Sequence, residues 1–390
     1  MKKLVLCALL LASAVSCGQK SGYVIDGKAG NLNGSAALSY YNSDEEFVSD
    51  TVAMTGGSFR FTGEVKDAVR GTIYILPEGA EQISASIIVE NARLKVLLDL
   101  DDLIDYARYG GLVAAEPKIT GGKNNEFWCG IKSMQKSKFA DGKFAEIYAA
   151  EQEVTRMGYK DMDAYEAKSE ELMKRFEDII PDYEEALSKA NIDYALSNPD
   201  VPAAAYLYYQ NGRELPLIDM EEAFATFSPE VRESAFASDL AKTIETVKAT
   251  APGAPAIDFT LKDPDGNDIT LSSLYGQYII LDFWASWCVP CREGMPGMKE
   301  LYAKYHDKGL EILGISDDSD PEDWKQAIEE DGLPWLQTID EFPVKNAPAR
   351  VISAYGLHYI PSYFLIDKEG KFIGKFEHEE LAAELAEIFD

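Results

Sequence analysis

The chain has 390 residues, of which 46% are hydrophobic and 11% aromatic, so its composition is that of a folded protein with more than one core. A formal net charge of -30 excludes a protein that tracks nucleic-acid phosphates with clustered lysine and arginine. We therefore expect a multidomain protein with an acidic surface and no nucleic-acid partner.

Residues 1–17 are typical of a lipoprotein signal segment, which is cleaved before Cys17. Two lysines precede an apolar run over 4–12, and small residues lead up to Cys17. A small residue directly before a cysteine resembles a bacterial lipobox, although Ala14 stands where leucine is usual. The resemblance implies that Cys17 is lipidated and anchors the chain to a membrane, facing the periplasm in the cell envelope of a Gram-negative bacterium. The alternative is a plain secretory signal with an incidental cysteine.

Residues 22–120 are predicted to form a β-rich domain. Short runs with partial period-two alternation are separated by Gly, Asn and Asp, which is typical of an antiparallel sheet or a small sandwich. The clearest runs are 36–41, 58–62, 72–76, 86–90 and 94–98. This region contains no motif that carries chemistry, so its function is left open.

Residues 121–249 change to a helical pattern and are predicted to form a helical domain or connector. Apolar residues recur at helical spacing between 165 and 179. Asn198 before Pro199, and Ser228 before Pro229, each predict a helix start. Cys129 is expected to be a small buried hydrophobe or an inert thiol.

A linker rich in proline and glycine at 250–255 opens the last predicted domain, residues 250–390. Strand and helix patterns then alternate, which predicts an α/β arrangement around a mixed sheet. The predicted strands are 278–283, 310–315, 362–366 and 372–376, and the predicted helices are 290–305, 321–330 and 379–388.

The strongest motif is the pair Cys288 and Cys291, which lies between a predicted buried strand and a predicted helix. A Cys-x-x-Cys pair could be half of a zinc site, but structural zinc needs four ligands. The other candidates are Cys129 and three scattered histidines, none of them at ligand spacing. The pattern therefore favours a redox dithiol over a metal site, with no bound cofactor.

The position of the pair predicts the role of each sulfur. Cys288 precedes the helix, where unpaired N–H groups and the helix dipole favour a thiolate, so it is the expected nucleophile. Cys291 lies one turn further on, where it can attack a mixed disulfide at Cys288 and release the product. Pro290 suits the first helical turn, because its missing N–H would have been unpaired there anyway.

The block at 282–291 resembles the active-site block of the thioredoxin superfamily, and in detail that of the TlpA-like and ResA-like envelope oxidoreductases. Further segments that match are 254–261, 292–296 and 359–367. The whole arrangement is similar to envelope lipoproteins whose N-terminal domain has no settled function. The resemblance implies a thioredoxin-like fold for residues 250–390.

The resemblance also assigns roles to individual residues. Pro361 matches the cis-proline of a loop that faces the dithiol, and Ile360 presents its backbone to an extended substrate. Asp282 matches a buried acid that accepts the Cys291 proton, and burial should raise its pKa. Trp287 and Pro290 complete the expected substrate-binding residues.

One position departs from the family pattern. Reductases of the ResA type often carry a glutamate three residues after the second cysteine, where this chain has Gly294. Glu293 stands one place earlier, about 100° around the helix, and is expected to be a surface residue. The three histidines, His306, His358 and His378, are assigned no role.

The leading hypothesis is an enzyme that reduces protein disulfides in the periplasm and is itself reduced by an upstream membrane electron donor. Val289-Pro290 between the cysteines provides no histidine to stabilise the thiolate further, so a reducing potential is expected. A thiol peroxidase is a weaker alternative, because Ala285 stands where such sites need a threonine. A third hypothesis is a partner-binding lipoprotein in which the redox module is subsidiary.

Overall fold

A computed structural model of the chain describes residues 22–106, 111–158, 161–343 and 349–390. The targeting segment and Cys17 lie outside the described residues. The chain divides into two compact units, one comprising Met1–Glu214 with Glu222–Asp239, the other Leu215–Glu221 with Leu240–Asp390. Among the described residues, no helix combines the length and the apolar character needed to span a membrane.

The first unit begins with a β-sandwich. Its strands are β1 Tyr23–Ala29, β2 Gly34–Tyr41, β3 Phe47–Met54, β4 Ser58–Gly63, β5 Val69–Pro77, β6 Ile83–Val89, β7 Arg93–Leu98, β8 Leu103–Tyr106, β9 Gly111–Ala114 and β10 Lys118–Thr120. One sheet has the order β3-β2-β5-β6-β9-β8 and the other the order β10-β7-β1-β4. Buried residues of both sheets form one hydrophobic core.

The sandwich was one of the two predicted arrangements, but its pairing is mixed. β1 pairs with β7 in parallel, and β6 pairs with β9 in parallel, whereas the other pairings are antiparallel. Strand alternation alone does not reveal the direction of a partner strand, because side chains alternate between the faces in both arrangements.

Helices follow, as predicted, in the central segment. They are α1 Lys123–Phe139, α2 Ala145–Met157, α3 Met162–Arg175, α4 Ile180–Leu196, α5 Pro202–Gly212, α6 Leu217–Thr226, α7 Pro229–Arg232 and α8 Ser238–Ala249. Ser228 does precede a helix that starts at Pro229. The predicted start at Pro199 is wrong. The Asn198 side chain donates to the Tyr194 carbonyl at 2.8 Å, so it caps the C-terminal end of α4 and does not start a new helix. Helix α5 begins later, at Pro202.

The start of α1 is joined to the end of β6 by a buried carboxylate. Glu90 accepts hydrogen bonds from the backbone N–H and side-chain amide groups of both Asn124 and Asn125, at 2.9–3.3 Å. Asn124 in turn accepts from the Ala203 N–H at 2.9 Å, at the start of α5. One acidic side chain thus satisfies N–H groups that a helix N-terminus leaves unpaired.

The second unit is built around a seven-stranded mixed sheet. Its strands are β11 Thr260–Lys262, β12 Asp268–Thr270, β13 Tyr278–Trp284, β14 Leu310–Ser316, β15 Leu336–Ile339, β16 Ser362–Ile366 and β17 Phe372–Phe376, in the order β12-β11-β15-β14-β13-β16-β17. Its helices are α9 Val289–Tyr305, α10 Pro321–Asp331, α11 Arg350–Ala354 and α12 His378–Phe389. The mixed sheet confirms the α/β prediction.

Strand β13 lies between β14, which runs parallel to it, and β16, which runs antiparallel. Its alternating side chains enter two separate cores. Ile280 and Trp284 share one core with buried residues of α9 and α12. Leu281 and Phe283 belong to the core on the opposite face. By the same alternation Asp282 lies on the α9 face, so the strand delivers an acidic side chain beneath the helix that carries the cysteines.

Candidate active site

Cys288 and Cys291 are joined by a disulfide with an S–S distance of 2.08 Å. Cys288 is the N-cap residue of α9, and the Cys291 backbone N–H donates to the Cys288 sulfur at 3.3 Å. The sulfur therefore occupies the position of an N-cap acceptor, where it receives a hydrogen bond and faces the positive end of the helix dipole. In the reduced protein the same contacts favour a thiolate at Cys288.

The disulfide is recessed between two projecting side chains. Cys288 is 4% exposed and Cys291 1%, whereas Trp287 is 62% exposed and Val289 64%. Pro290 is also exposed. Both cysteines therefore lie behind an apolar rim formed by Trp287 and Val289. The predicted order of nucleophile and resolving thiol stays a prediction.

The segment before Cys288 is held by a buried carboxylate. Asp318 accepts hydrogen bonds from the Ser286 N–H at 2.9 Å, from the Ser286 hydroxyl at 2.6 Å and from the Ser316 hydroxyl at 2.6 Å. Sequence reasoning missed this contact. A weak signal was present, because Asp317 and Asp318 directly follow a strand that is parallel to β13, so their side chains lie at the same edge of the sheet.

A second loop approaches the disulfide from the side of β16. The Ile360–Pro361 peptide bond is cis, as predicted, and the Ile360 carbonyl oxygen lies 3.9 Å from the Cys288 sulfur. Tyr359 next to it is exposed. The loop therefore places a backbone carbonyl beside the Cys288 sulfur, where an extended peptide chain could pair with it.

Asp282 is fully buried, and neither carboxylate oxygen has a hydrogen-bond partner among the described residues. Burial raises the pKa of Asp282 to about 7, because the charged form is not solvated. A carboxyl with this pKa exchanges its proton near neutral pH, which is the property required of a general acid–base group.

The start of α9 is fixed to the end of α10. The Arg292 guanidinium donates to both oxygens of Asp331, at 2.8 and 2.9 Å, and to Glu330 at 2.9 Å. These carboxylates raise the pKa of Arg292 further above its usual value. The bidentate pair fixes the orientation of the helix that carries both cysteines.

Some residues singled out in the sequence lie elsewhere. Cys129 is exposed on α1, so the expectation of a buried thiol is wrong. It lies outward on a helix whose buried positions include Phe127 and Ile131, which helical periodicity separates from position 129. Glu293 is exposed, as predicted. Among the described residues, no three or more histidine, cysteine, aspartate or glutamate side chains are grouped to hold a metal ion.

Comparison with known proteins identifies the family of the part of the chain that carries this site. Residues 252–373 match the model described as AhpC/TSA family. The thiol-disulfide oxidoreductase ResA of Bacillus anthracis is 36% identical over 140 residues, which are 35% of this chain and 78% of that protein. The chain belongs to the ResA-like thiol–disulfide oxidoreductases. A second ResA, from Geobacillus thermodenitrificans, is 37% identical over 123 residues, which are 32% of this chain and 67% of that protein.

Other matches concern parts of this ResA-like chain. The thioredoxin domain of a thiol-disulfide oxidoreductase from Bacteroides vulgatus is 34% identical and covers 36% of this chain and 99% of its own, with a TM-score of 0.33. Residues 23–128 match a domain of unknown function, DUF4369. The ResA-like part thus has a biochemical class, a thiol–disulfide oxidoreductase, and the β-rich part has a family without an assigned activity.

Proposed function

We propose that the protein reduces disulfide bonds of other proteins, with Cys288 as nucleophile and Cys291 as resolving thiol. The observation that carries this proposal is the Cys291 N–H that donates to the Cys288 sulfur at the start of α9. It favours negative charge on the outer sulfur and keeps the inner sulfur within bonding distance of it.

In the first step the Cys288 thiolate attacks one sulfur of the substrate disulfide. A Cys288–substrate disulfide forms as the substrate S–S bond breaks, and one substrate thiolate leaves. The Cys291 thiolate then attacks the Cys288 sulfur, which forms the Cys288–Cys291 disulfide and expels the second substrate thiolate. Two electrons pass from the protein dithiol to the substrate, and an upstream membrane electron donor must return them.

Asp282 is the group we assign to the Cys291 proton. It lies on the α9 face of β13, and burial raises its pKa to about 7, so the carboxylate can take a proton from a thiol at neutral pH. Protonation also removes a buried charge at Asp282 that has no partner among the described residues, which favours the acceptor side of the transfer.

We assign substrate contact to the rim of the disulfide. Trp287 and Pro290 are exposed on one side, and Ile360 and Pro361 form the loop on the other. An extended segment of substrate can donate a backbone hydrogen bond to the Ile360 carbonyl while its disulfide meets Cys288. Such recognition depends on backbone and apolar area, so it suits several protein substrates.

The cellular setting is a proposal from the sequence. Lipidation at Cys17 would anchor the chain to a membrane of a Gram-negative envelope, with residues 22–120, 121–249 and 250–390 as β-rich, helical and redox domains on the periplasmic side. Cleavage before Cys17 removes the signal. Radiolabelled palmitate that is incorporated into the wild type but not into Cys17→Ala is the result that this proposal predicts.

The functional assignment is tested by the redox equilibrium of the purified protein with glutathione. We expect a potential at the reducing end of the thioredoxin-like range, together with reduction of a disulfide-bonded test protein by the wild type and loss of that activity in Cys288→Ser. A strongly oxidising potential contradicts a reductase. Rapid stoichiometric consumption of peroxide would favour the peroxidase alternative, although Ala285 has no hydroxyl to orient peroxide.

A further inference from the structure

No hydrogen bond of Asp282 to a described residue offers its proton a path to solvent. Asp282 is fully buried, and its oxygens have no hydrogen-bond partner in the described part of the chain. If it accepts the Cys291 proton in every cycle, it must also release one before the next. A buried group does this only through neighbours that can both accept and donate.

Tyr363 is the first such neighbour. It lies directly opposite Asp282 in the antiparallel pair of β13 and β16, and it belongs to the same core as the cysteines. Burial, the Asp282 charge and the Glu377 charge raise the pKa of Tyr363 above its usual value, so the phenol stays neutral. A neutral hydroxyl can take one proton and pass on another.

His378 is the next neighbour outward. Its ring packs edge-on against the Tyr363 ring, with 6.3 Å between the centroids. Its Nε2 atom is buried without a hydrogen-bond partner in the described residues, although the residue as a whole is half-buried at the start of α12. A half-buried imidazole with one buried nitrogen can carry a proton between the protein interior and solvent.

Two glycines of α9 leave space for both side chains. A Cβ on Gly297 would lie 2.6 Å from the His378 Nε2, and a Cβ on Gly294 would lie 3.5 Å from the Tyr363 hydroxyl. The residues are three apart, so both positions lie on one face of the helix. This face of α9 is therefore lined by polar atoms of β16 and α12 instead of its own side chains.

We propose that Tyr363 and His378 form a proton relay between Asp282 and solvent, along the notch that Gly294 and Gly297 leave in α9. This inference rests on the proposed role of Asp282. The titratable groups along the path are Asp282 on β13, Cys291 on α9, Tyr363 on β16, and His378 with Glu377 at the start of α12.

The relay conserves protons at each step. Asp282 gives the proton it took from Cys291 to the Tyr363 oxygen, as the Tyr363 hydroxyl proton moves to Nε2 of His378. His378 then releases a proton from its other nitrogen to water. No described side chain is hydrogen-bonded to Asp282 or to the His378 Nε2, so each hop passes through one water molecule. Asp282 is left as a carboxylate, ready for the next turnover, and no electrons move along this path.

The test uses the reduced full chain and the chromogenic disulfide dithiobis(nitrobenzoate) in a stopped-flow spectrometer. The other three cysteines, Cys7, Cys17 and Cys129, would also react, so all variants carry serine at these positions. Attack by Cys288 releases one coloured thiolate and closure by Cys291 releases the second, so two phases report the two steps. At about pH 6 most Asp282 carboxyls are protonated and must release a proton along the relay before they can accept that of Cys291. At this pH we expect Tyr363→Phe and His378→Gln to slow the second phase about 10-fold, with the first phase unchanged.

Tyr355→Phe is the matched control, because Tyr355 is a buried tyrosine in the core on the opposite face of the sheet. It should leave both phases unchanged. The double variant Tyr363→Phe/His378→Gln should be no slower than either single variant, since one interrupted path cannot be interrupted twice. Imidazole in the buffer should restore the second phase of His378→Ala but not that of Tyr363→Phe. A purely structural role would not produce this pattern.

Asp282→Asn separates the two proposals. If it slows the second phase while Tyr363→Phe and His378→Gln behave as wild type, the relay is refuted and the role of Asp282 stands. If Asp282→Asn also leaves the second phase unchanged across pH 6 to 9, the role of Asp282 fails and the relay fails with it.

Discussion

Replacing Asp282 by asparagine should stabilise the second unit, and the gain should grow with pH. The pKa of this carboxyl is about 7 in the folded protein against 3.8 for an ordinary aspartate. Between these pH values the folded state binds more protons than the unfolded state, so the stability of the wild type falls as pH rises and is level above about 7. At about 1.4 kcal/mol per pH unit, the loss amounts to about 4 kcal/mol.

Asparagine does not titrate, so Asp282→Asn lacks this loss. The difference in free energy of unfolding between variant and wild type should therefore increase by about 4 kcal/mol between pH 4 and pH 8. Comparing two pH values cancels the constant cost of a buried amide relative to a protonated carboxyl.

Denaturant unfolding of the oxidised full chain, followed by tryptophan fluorescence, measures this difference. Four of the five tryptophans lie in the second unit, and a Trp128→Phe background removes the fifth. Glu293→Gln, at an exposed glutamate of the same unit, is the control. Its free energy of unfolding should change with pH in the same way as that of the wild type. If the free energies of unfolding of Asp282→Asn and wild type differ by a constant amount from pH 4 to 8, Asp282 is not a buried carboxyl with a raised pKa.

Three further outcomes follow from packing and hydrogen bonds. Gly297→Ala should destabilise the second unit by about 1–3 kcal/mol, because its Cβ would lie 2.6 Å from the buried Nε2 of His378. Gly294→Ala should stabilise it by about 0.5–1 kcal/mol, because its Cβ would lie no closer than 3.5 Å to the Tyr363 hydroxyl. Thermal unfolding of the pair checks the opposite signs. Glu90→Ala should lower the stability of the first unit by about 2–4 kcal/mol, because it leaves the N–H donors at the start of α1 unpaired. Glu64→Ala, at an exposed glutamate, should leave the stability unchanged, and denaturant unfolding compares the two variants. Asp318→Ala should release the segment before the nucleophile and slow its attack on a chromogenic disulfide about 10-fold, without changing the second phase.

The sequence was most informative where local pattern and chemistry agree. The apolar run of β13 and the proline after Cys288 predicted a strand and a helix start within one residue of those observed. In the structure Cys288 and Cys291 form the disulfide that their spacing suggested. These features depend on residues close together in the chain, so periodicity and capping rules apply directly.

Features that depend on distant partners could not be predicted in this way. The carboxylate that holds Ser286 comes from position 318, and the histidine that packs against Tyr363 of β16 comes from α12. The parallel pairing of β1 with β7 joins strands that are far apart in sequence. The predicted helix start at Pro199 was wrong, because the Asn198 side chain donates to a carbonyl of the preceding helix, α4. The sequence motif does not show whether a capping side chain bonds to the helix before it or to the one after it.

The central claim is that Cys288 is the sulfur that attacks substrate. Its most direct test is capture of a mixed disulfide by the full-length Cys291→Ala variant on a disulfide-bonded peptide, with the modified cysteine located by mass spectrometry. We predict a stable adduct on Cys288, and none on Cys291 when Cys288→Ala is treated in the same way. An adduct confined to the exposed Cys129, or one that forms equally well on Cys291, would contradict the account.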